Sequence, residues 1–328
     1  MSNHDASQYK MPLIIFAAVV AVYGIFGWID VGNYAQGGWN TDGNNTVTEV
    51  LPGSPSEAGG LMVGDFIVSL GGIATSDAKA QLQRERPKVG ETWEFVVERD
   101  GETRSLDITF GEPVAQRRLI AHASFLVGFC FIGFTIWAYL QKQTASTMAL
   151  AIAGTLGSLI FIAGPYFATY TLRNLDAALV NILLFLGVAS LLNFLLVHFR
   201  SRSNRLIYLP GLAAGLFIAY RILAAPEATS ALNTFSNIFI GVIIAFYFIA
   251  ALVTIYRGYS SASPEDRASQ GLNLMLIGAL IGLLPSLIAT VTAIFAPQVV
   301  LPGGNFYFLT LVALPITWSM AVLKGTSE

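Results

Sequence analysis

Residues 47–72 read VTEVLPGSPSEAGGLMVGDFIVSLGG, a polar and glycine-rich stretch in a chain that is otherwise strongly apolar. Alternating apolar and polar residues over 47–51 predict a β-strand. The two prolines that follow cannot donate to a strand ladder, so we expect the strand to end there. A helical turn, a tight turn at Gly64-Asp65 and a second strand from Phe66 complete an α+β pattern.

The sequence downstream continues this pattern to residue 110. The segment from Ser76 or Asp77 to about Arg86 predicts a helix, because either side chain can cap its first turn. Residues 92–99 and 102–110 alternate as strands, and the Asp-Gly pair between them is a strong hairpin signal. The region therefore predicts a small α+β domain.

The residues of this region resemble a PDZ domain of the bacterial type over about 37–110. The resemblance is carried by Ser54-Pro55, Ala58-Gly59, Leu61, Gly64-Asp65 and Ile67-Val68. It implies that an extended peptide adds as a strand beside one edge, and that a glycine-containing loop holds the peptide's terminal carboxylate. The implied site residues are Gly37, Gly38, Trp39 and Asn40 in that loop and Leu82 in the side-chain pocket. The alternative is an unrelated small β-rich domain.

Outside the PDZ-like region, the composition is that of a membrane protein. The 328 residues are 54% hydrophobic and 12% charged, whereas an average soluble domain is about 25% charged. Apolar runs of the roughly 20 residues that cross a bilayer predict eight transmembrane helices, near 11–29, 118–140, 147–170, 176–198, 206–225, 234–257, 270–296 and 305–323. The first is expected to be a retained signal anchor. The predicted fold class is a polytopic α-helical membrane protein with an inserted small α+β PDZ-like domain.

The Lys and Arg residues predict the orientation in the membrane. With the N-terminus inside, the inner segments carry Lys10, Lys142, Arg200, Arg202, Arg205, Arg257, Arg267 and Lys324, and the outer segments carry Arg117, Arg118 and Arg173. Residues 1–10 and 325–328 are therefore expected in the cytoplasm. Residues 30–116 form the extracytoplasmic PDZ-like domain with its linkers, and 117–324 form a seven-helix domain. The bacterial character of the sequence predicts the plasma (inner) membrane.

The spans lack the residue patterns of intramembrane proteases and of retinal proteins. Zinc proteases need HExxH on one helix, but His4, His122 and His198 lie on separate segments. No G-x-S-G nucleophile motif occurs, no aspartate lies in a late span, and no lysine between Lys142 and Lys324 could form a Schiff base. We expect no enzymatic activity, no metal and no cofactor. A net charge of −2 argues against a nucleic-acid partner.

Polar residues inside the spans are further candidates, because such residues are costly in a bilayer. Arg221 lies near the outer end of the fifth helix. One possibility is that Arg221 binds a carboxylate, which belongs to a peptide ligand, to Glu227 or to Asp176. The other is that its side chain extends to the outer headgroups. The asparagines are expected to form interhelical hydrogen bonds; they are Asn181, Asn193, Asn237 and Asn273.

The last two spans resemble the input region of competence-type (ComP-like) sensor histidine kinases and related phosphatases. The resemblance is carried by 263–278, SPEDRASQGLNLMLIG, with Gly282 and Leu284-Pro285, and by 313–324, ALPITWSMAVLK. That family has one helix, an exported PDZ-like domain and then seven helices. It continues into cytoplasmic kinase or phosphatase domains, whereas this sequence stops four residues after Lys324. The resemblance implies an isolated sensor half, natural or truncated, and a homodimer.

Two functions remain open at this point. The first is a non-catalytic membrane sensor that binds a peptide or protein C-terminus through the PDZ-like domain or an outer helical cavity. It would signal across the lipid bilayer to a cytoplasmic kinase or phosphatase. The second is a scaffold or accessory subunit that uses the PDZ-like domain to contact a membrane complex. A transporter would show an inverted repeat with interrupted helices, and also buried ion-binding groups; the sequence shows neither.

Overall fold

A computed structural model describes residues 7–42, 44–200, 204–224, 230–295, 301 and 304–325. Within them, a β-rich unit of residues 34–111, here called the sheet domain, lies against one end of a bundle of apolar helices, here called the helical domain. The end of each helix nearer to the sheet domain is called its sheet-side end. Contacts between the two units join Tyr34, Leu82 and Arg86 of the sheet domain to Tyr166, Arg173 and Ala168 of the helical domain.

The helices and strands follow one another as a helix, the sheet domain and then the remaining helices. In chain order they are α1 (Lys10–Ile29), β1 (Trp39–Thr41), β2 (Val47–Val50), α2 (Pro55–Ala58), β3 (Phe66–Leu70), β4 (Ile73–Ala74), α3 (Ala78–Gln83), β5 (Thr92–Arg99), β6 (Glu102–Thr109), α4 (Ala115–Gln141), α5 (Ala145–Gly157), α6 (Tyr170–Arg200), α7 (Tyr208–Ala224), α8 (Ser230–Ser261), α9 (Pro264–Ser269), α10 (Leu272–Phe295) and α11 (Ala313–Lys324).

The sheet domain contains a four-stranded antiparallel sheet in the order β4-β3-β5-β6 and a separate pair, β1-β2. The alternation of β5 buries Phe95 and Val97 completely, because every second side chain points to the same face. Asp100 and Gly101 take positive φ angles of 56° and 81° between β5 and β6. Positive φ at both positions is the geometry that a two-residue hairpin requires, so the predicted hairpin is confirmed.

The helix of the sheet domain is shorter than the sequence predicts. Asp77 caps it by accepting the backbone N–H of Ala80 at 3.0 Å, as expected. The helix ends at Gln83, three residues before the predicted end at Arg86, because the backbone of Arg84 is already extended, with ψ at 141°. The residues up to 91 therefore form a loop that leaves the sheet and reaches the helical domain.

A buried ion pair holds the tight turn before β3 against the end of β5. Asp65 is 1% exposed, and its two carboxylate oxygens accept hydrogen bonds from Nε and Nη2 of Arg99 at 2.6 and 2.7 Å. The carboxylate also accepts the backbone N–H of Met62 at 2.9 Å. Burial raises the pKa of Asp65, but the hydrogen bonds from Arg99 and Met62 outweigh burial, so the pKa lies below its usual value.

Among the described residues, six helices are long and apolar enough to cross a membrane. They comprise Lys10–Asn33, Ala115–Gln141, Tyr170–Arg200, Arg205–Ala224, Ile238–Ser261 and Phe306–Lys324. Two shorter apolar helices, Ala145–Ile160 and Leu272–Pro285, accompany them. These helices suggest a multi-pass helical membrane protein. The count of eight spans stays a prediction.

The helices differ from the bounds of three predicted spans. The span predicted at 147–170 is helical only to Ile160, and residues 161–169 form no helix. Pro165 lacks a backbone N–H and disfavours a continuing helix, and the backbone N–H of Tyr166 is donated to Asp30 Oδ2 instead. The next helix then begins at Tyr170, not at 176. The span predicted at 305–323 begins with a 3₁₀ segment, Gly304–Val312.

Helix α6 lies at the centre of the helical domain and packs against α5, α7 and α8. Its residues Phe194 and Leu195 are fully buried in the largest apolar cluster. Trp318 of α11 joins the same cluster and donates its indole N–H to the backbone oxygen of Met275 in α10 at 3.0 Å. Because α6 is packed on several sides, a displacement of its sheet-side end would also displace the helices packed against it.

Candidate functional site

The non-helical segment 161–169 lies between the sheet domain and the helical domain. Tyr166 donates its backbone N–H to Asp30 at 2.9 Å and its hydroxyl to the backbone oxygen of Pro87 at 2.8 Å. The backbone N–H of Arg86 is donated to Ala168 at 3.1 Å. Residues of α1's end, of the loop after α3 and of the segment before α6 therefore meet in one place, which we call the seam.

Arg86 lies beside two aromatic rings at the seam. Its guanidinium carbon lies 5.5 Å from the ring centre of Tyr34 and 6.0 Å from that of Tyr166. The two rings pack edge to face, with centroids 5.1 Å apart. Burial raises the pKa of both phenols, despite the nearby positive charge. They therefore stay neutral at physiological pH and offer their ring faces to the cation.

The loop that carries Arg86 is braced against the sheet. Arg84 lies 4.3 Å above the ring of Trp93, and the Trp93 indole donates to Glu91 at 2.8 Å. Hydrogen bonds from Trp93 and from the Lys88 amide hold the pKa of Glu91 below its usual value. Burial and the charge of Arg173 lower the pKa of Arg84. Burial is the larger of these two causes.

A second contact joins α3 to the beginning of α6. Arg173 Nη2 donates to the backbone oxygen of Leu82, the last but one residue of α3, at 3.0 Å. Since the last carbonyl groups of a helix have no partner within it, a cation there satisfies one of them and complements the helix dipole. This contact ties the helix of the sheet domain directly to the central helix of the helical domain.

A cavity of about 440 Å³ lies beside this contact, and we call it the seam pocket. It is lined by Leu82, Tyr170, Arg173, Asn174, Ile218, Arg221, Ile222, Ser236 and Ile240. Arg221 Nη1 donates to Ser236 Oγ at 2.5 Å, and Ser236 donates to the backbone oxygen of Leu232 at 2.6 Å. The pocket thus contains two guanidinium groups next to an apolar wall formed by three isoleucines.

The seam pocket brings together two residues that the sequence places in different sites. Leu82 was expected in a peptide groove, and Arg221 was expected as a carboxylate anchor or a headgroup contact. Asp176, one proposed partner of Arg221, accepts the hydroxyl of Tyr23 at 2.8 Å. Glu227, the other, lies outside the described residues. Arg221 faces the pocket, where an anionic ligand could reach it.

Half of the predicted carboxylate loop lies in a strand. Gly37 and Gly38 accept the backbone N–H groups of Ser56 and Leu51, at 2.9 and 2.8 Å. Gly38 has a φ of 85°, and a Cβ there would lie 2.2 Å from the Cβ of Ser54. The positive φ and the close approach to Ser54 explain Gly38 structurally, because a side chain there would clash with the turn.

The next two predicted residues of that loop lie in β1. Trp39 packs its ring on Phe95 and Phe110, with centroids 5.0 and 6.0 Å apart. Asn40 is exposed and donates its side-chain amide to Glu49 at 2.6 Å. Leu82 lines the seam pocket, so the described cavity does not bring it together with the predicted loop.

The intramembrane asparagines have different surroundings. Asn181 donates to the backbone oxygen of Ala177 in its own helix at 2.8 Å, instead of the expected bond to another helix. Asn273 of α10 accepts the hydroxyl of Tyr259 of α8 at 3.1 Å, which is an interhelical hydrogen bond. The side chain of Asn237 lies outside the described part of the chain.

No protein-family model matches this chain. The two resemblances therefore rest on the residues quoted for them. Over the part of the chain that the structure describes, no group of three His, Cys, Asp or Glu side chains could hold a metal ion. The expectations of no enzymatic activity, no metal and no cofactor stay predictions.

Sequence reasoning missed the seam. Tyr34, Arg86 and Tyr166 lie far apart in the chain, and each has an ordinary alternative as a surface or interfacial residue. A usable signal is the Gly164-Pro165 pair, which disfavours a helix and so indicates a non-helical segment between two apolar runs. Arg173 follows the Gly164-Pro165 pair closely and lies in the first turn of the next helix, which begins at Tyr170.

Proposed function

We propose that this chain is a non-catalytic membrane receptor module with an extracytoplasmic PDZ-like domain and eight transmembrane helices in the inner membrane. It binds a peptide or protein C-terminus and transmits the binding event along its helices to a cytoplasmic kinase or phosphatase. The single observation that carries the proposal is the seam. Arg86 beside two tyrosine rings and Arg173 on the end of α3 attach the ligand-binding unit to the start of α6.

The seam supports a receptor because a flexible tether would not transmit a change of shape. A ligand shifts an equilibrium between two states only if it binds one of them more tightly. A peptide that moves α3 would alter the bond between Leu82 and Arg173 and thereby favour one position of α6. Since α6 is the central helix, the change would reach the opposite end of the bundle.

Strand β1 supports a peptide as the ligand. Among the described strands it has only β2 as a neighbour, so no strand is paired to its other edge. The edge is short, with Asn40 and Thr41 exposed. A bound peptide would gain backbone hydrogen bonds along this edge.

A scaffold is the second candidate, and an exposed apolar surface of the sheet domain favours it. Met62 and Val63 are 55% and 65% exposed in the loop before β3, and Phe66 and Val68 are exposed on one face of that strand. Contiguous exposed apolar residues commonly mark a protein contact. In this function a partner would cover the surface, and nothing would be transmitted through the seam.

A distance measurement separates the two functions. The full chain in lipid nanodiscs would carry spin labels at Arg205 and Lys324, both exposed at the ends of helices opposite the sheet domain. A library of random peptides with free C-terminal carboxylates supplies the ligand, and amidated peptides serve as the control. For a receptor, a selected peptide changes the distance distribution. In Arg86→Gln, the peptide should still bind while the distance change is lost.

Two outcomes would contradict the receptor. Peptide binding with an unchanged distance distribution in the wild-type chain would favour the scaffold. Failure to select any peptide that prefers a free carboxylate over an amide would remove the peptide-binding part of the proposal. Lys79→Gln is the matched control, because Lys79 is an exposed cation on α3 and makes none of the seam contacts described above.

A further inference from the structure

The seam pocket contains an arrangement of groups that a terminal carboxylate does not need. Two arginines and an asparagine line it together with Ile218, Ile222 and Ile240. An anion with an attached apolar body satisfies both kinds of lining group at once. At about 440 Å³, the cavity falls in the roughly 300–1,000 Å³ range of ligand pockets.

The charges of the pocket are held in place by the fold. Arg221 is positioned by Ser236, which is 2% exposed and is itself bonded to the backbone of α8. Arg173 is positioned by its bond to the Leu82 carbonyl. A guanidinium has five N–H donors, so this one bond leaves others for a ligand. A pocket with fixed cations needs little reorganisation when an anion binds.

The beginning of α6 adds to the positive potential. Tyr170 and Arg173 belong to the first turn of this helix of 31 residues, and both line the pocket. The N-terminus of a helix carries a partial positive charge of about one half. Phosphate groups are favoured at such a position, above all when arginines lie beside it.

The position of the pocket in the bundle selects the source of the anion. The pocket is formed by the sheet-side ends of α6, α7 and α8, where apolar spans give way to the sheet domain. The neighbouring faces of these helices are strongly exposed and apolar, as at Leu175, Leu179 and Leu216. Those faces suit acyl chains, so the headgroup of a membrane lipid reaches the arginines while its chains stay in the bilayer.

We propose that the seam pocket binds the phosphate headgroup of an anionic diacyl phospholipid from the leaflet on the sheet-domain side. Arg173 and Arg221 hold the phosphate oxygens, and the isoleucine wall contacts the glycerol backbone and the first acyl carbons. The site is distinct from the peptide edge at β1, and it does not depend on the receptor function proposed above.

Lipid retention tests this site directly. The full chain is placed in nanodiscs of phosphatidylcholine with a minor fraction of phosphatidylglycerol of identical acyl chains, and bound lipid is counted by native mass spectrometry after release. We expect saturable retention of phosphatidylglycerol over phosphatidylcholine. Arg221→Gln should weaken this binding by about tenfold or more, which corresponds to the loss of one hydrogen bond to a charged group.

The matched control is Arg117→Gln, which removes an exposed arginine from the sheet-side end of α4. It should retain phosphatidylglycerol like the wild type, because it makes the same change of charge outside the pocket. Arg173→Gln should weaken retention as Arg221→Gln does. If Arg173→Gln disturbs folding through the loss of the Leu82 contact, Arg221→Gln and Arg221→Lys decide, with the lysine variant retaining part of the binding.

Three results would overturn the proposal. One is equal retention of the two lipids by the wild-type chain. Another is inorganic phosphate, added to nanodiscs of phosphatidylcholine alone, binding with the same dependence on Arg221 while phosphatidylglycerol shows no preference. The third is Arg221-dependent binding of a free-carboxylate peptide in place of lipid, which would assign the pocket to the peptide. Loss of peptide binding at β1 with lipid retention intact would count against the receptor alone.

Discussion

Asp65→Asn tests the ion pair that closes the sheet domain. The substitution keeps the size of the side chain but removes its charge, and it places an amide group where two oxygens now accept from Arg99 and from Met62. Asp65 is 1% exposed and Arg99 is 15% exposed. Removing one partner of a buried pair costs about 3–5 kcal/mol, and partial exposure of the arginine lowers this to about 3 kcal/mol.

Pulse proteolysis of the full chain in lipid nanodiscs measures this loss. Urea is titrated, and the cleavage of peptides from residues 39–110 reports the unfolded fraction of the sheet domain. Glu102→Gln is the matched control, because Glu102 forms an exposed ion pair with Arg104 on the same hairpin. Exposed pairs contribute about 0–1 kcal/mol. A loss below about 1 kcal/mol for Asp65→Asn, or one equal to that of the control, would refute the role of this pair.

Three further predictions concern the pH dependence of stability, the seam, and Gly38 before β1. Because the pKa of Asp65 is lower in the folded than in the unfolded chain, its contribution to the free energy of unfolding is complete above about pH 4 and is lost as the pH falls through the folded-state pKa. In urea titrations, the stability of the wild type should therefore approach that of Asp65→Asn in acid. A stability difference that stays constant with pH would contradict this. Arg86→Gln should remove about 1 kcal/mol of cation–π attraction and speed the hydrogen exchange of residues 161–169 about fivefold. Lys79→Gln should leave this exchange rate unchanged. Equal exchange rates in the two variants would show that Arg86 does not hold the seam. Gly38→Ala should lower the free energy of unfolding by more than about 2 kcal/mol, because it adds a clash with Ser54 to the strain of positive φ. Gly53→Ala is the control, since φ is 72° there and no atom lies within 4 Å of the added Cβ; it should cost about 1 kcal/mol. Equal losses of the two variants in urea titrations would refute the clash.

The sheet domain shows how far local pattern reaches. The β5-β6 hairpin follows from two alternating segments and an Asp-Gly pair, and each of these signals depends on only a few consecutive residues. The end of α3 could not be predicted in the same way. Arg84 leaves the helix while its guanidinium lies on the ring of Trp93 in another strand, and no local rule describes that contact.

The helical domain shows the same division. Hydrophobic runs locate the apolar helices, because the period and length of a span are properties of consecutive residues. Residues 161–169 are apolar enough to extend a predicted span, yet they form no helix. Asp30, more than a hundred residues earlier in the chain, takes the hydrogen bond of Tyr166.

The sequence by itself determined the kinds of element, their order and the apolar character of most of the chain. It also determined the position of an α+β unit between the first two long helices, because propensity, turn chemistry and hydrophobicity act over short stretches. Only the tertiary structure decided that Leu82 and Arg221 share a pocket and that Arg86 lies beside two tyrosines. Those contacts join residues distant in the chain, and their energies arise from packing and charge between elements.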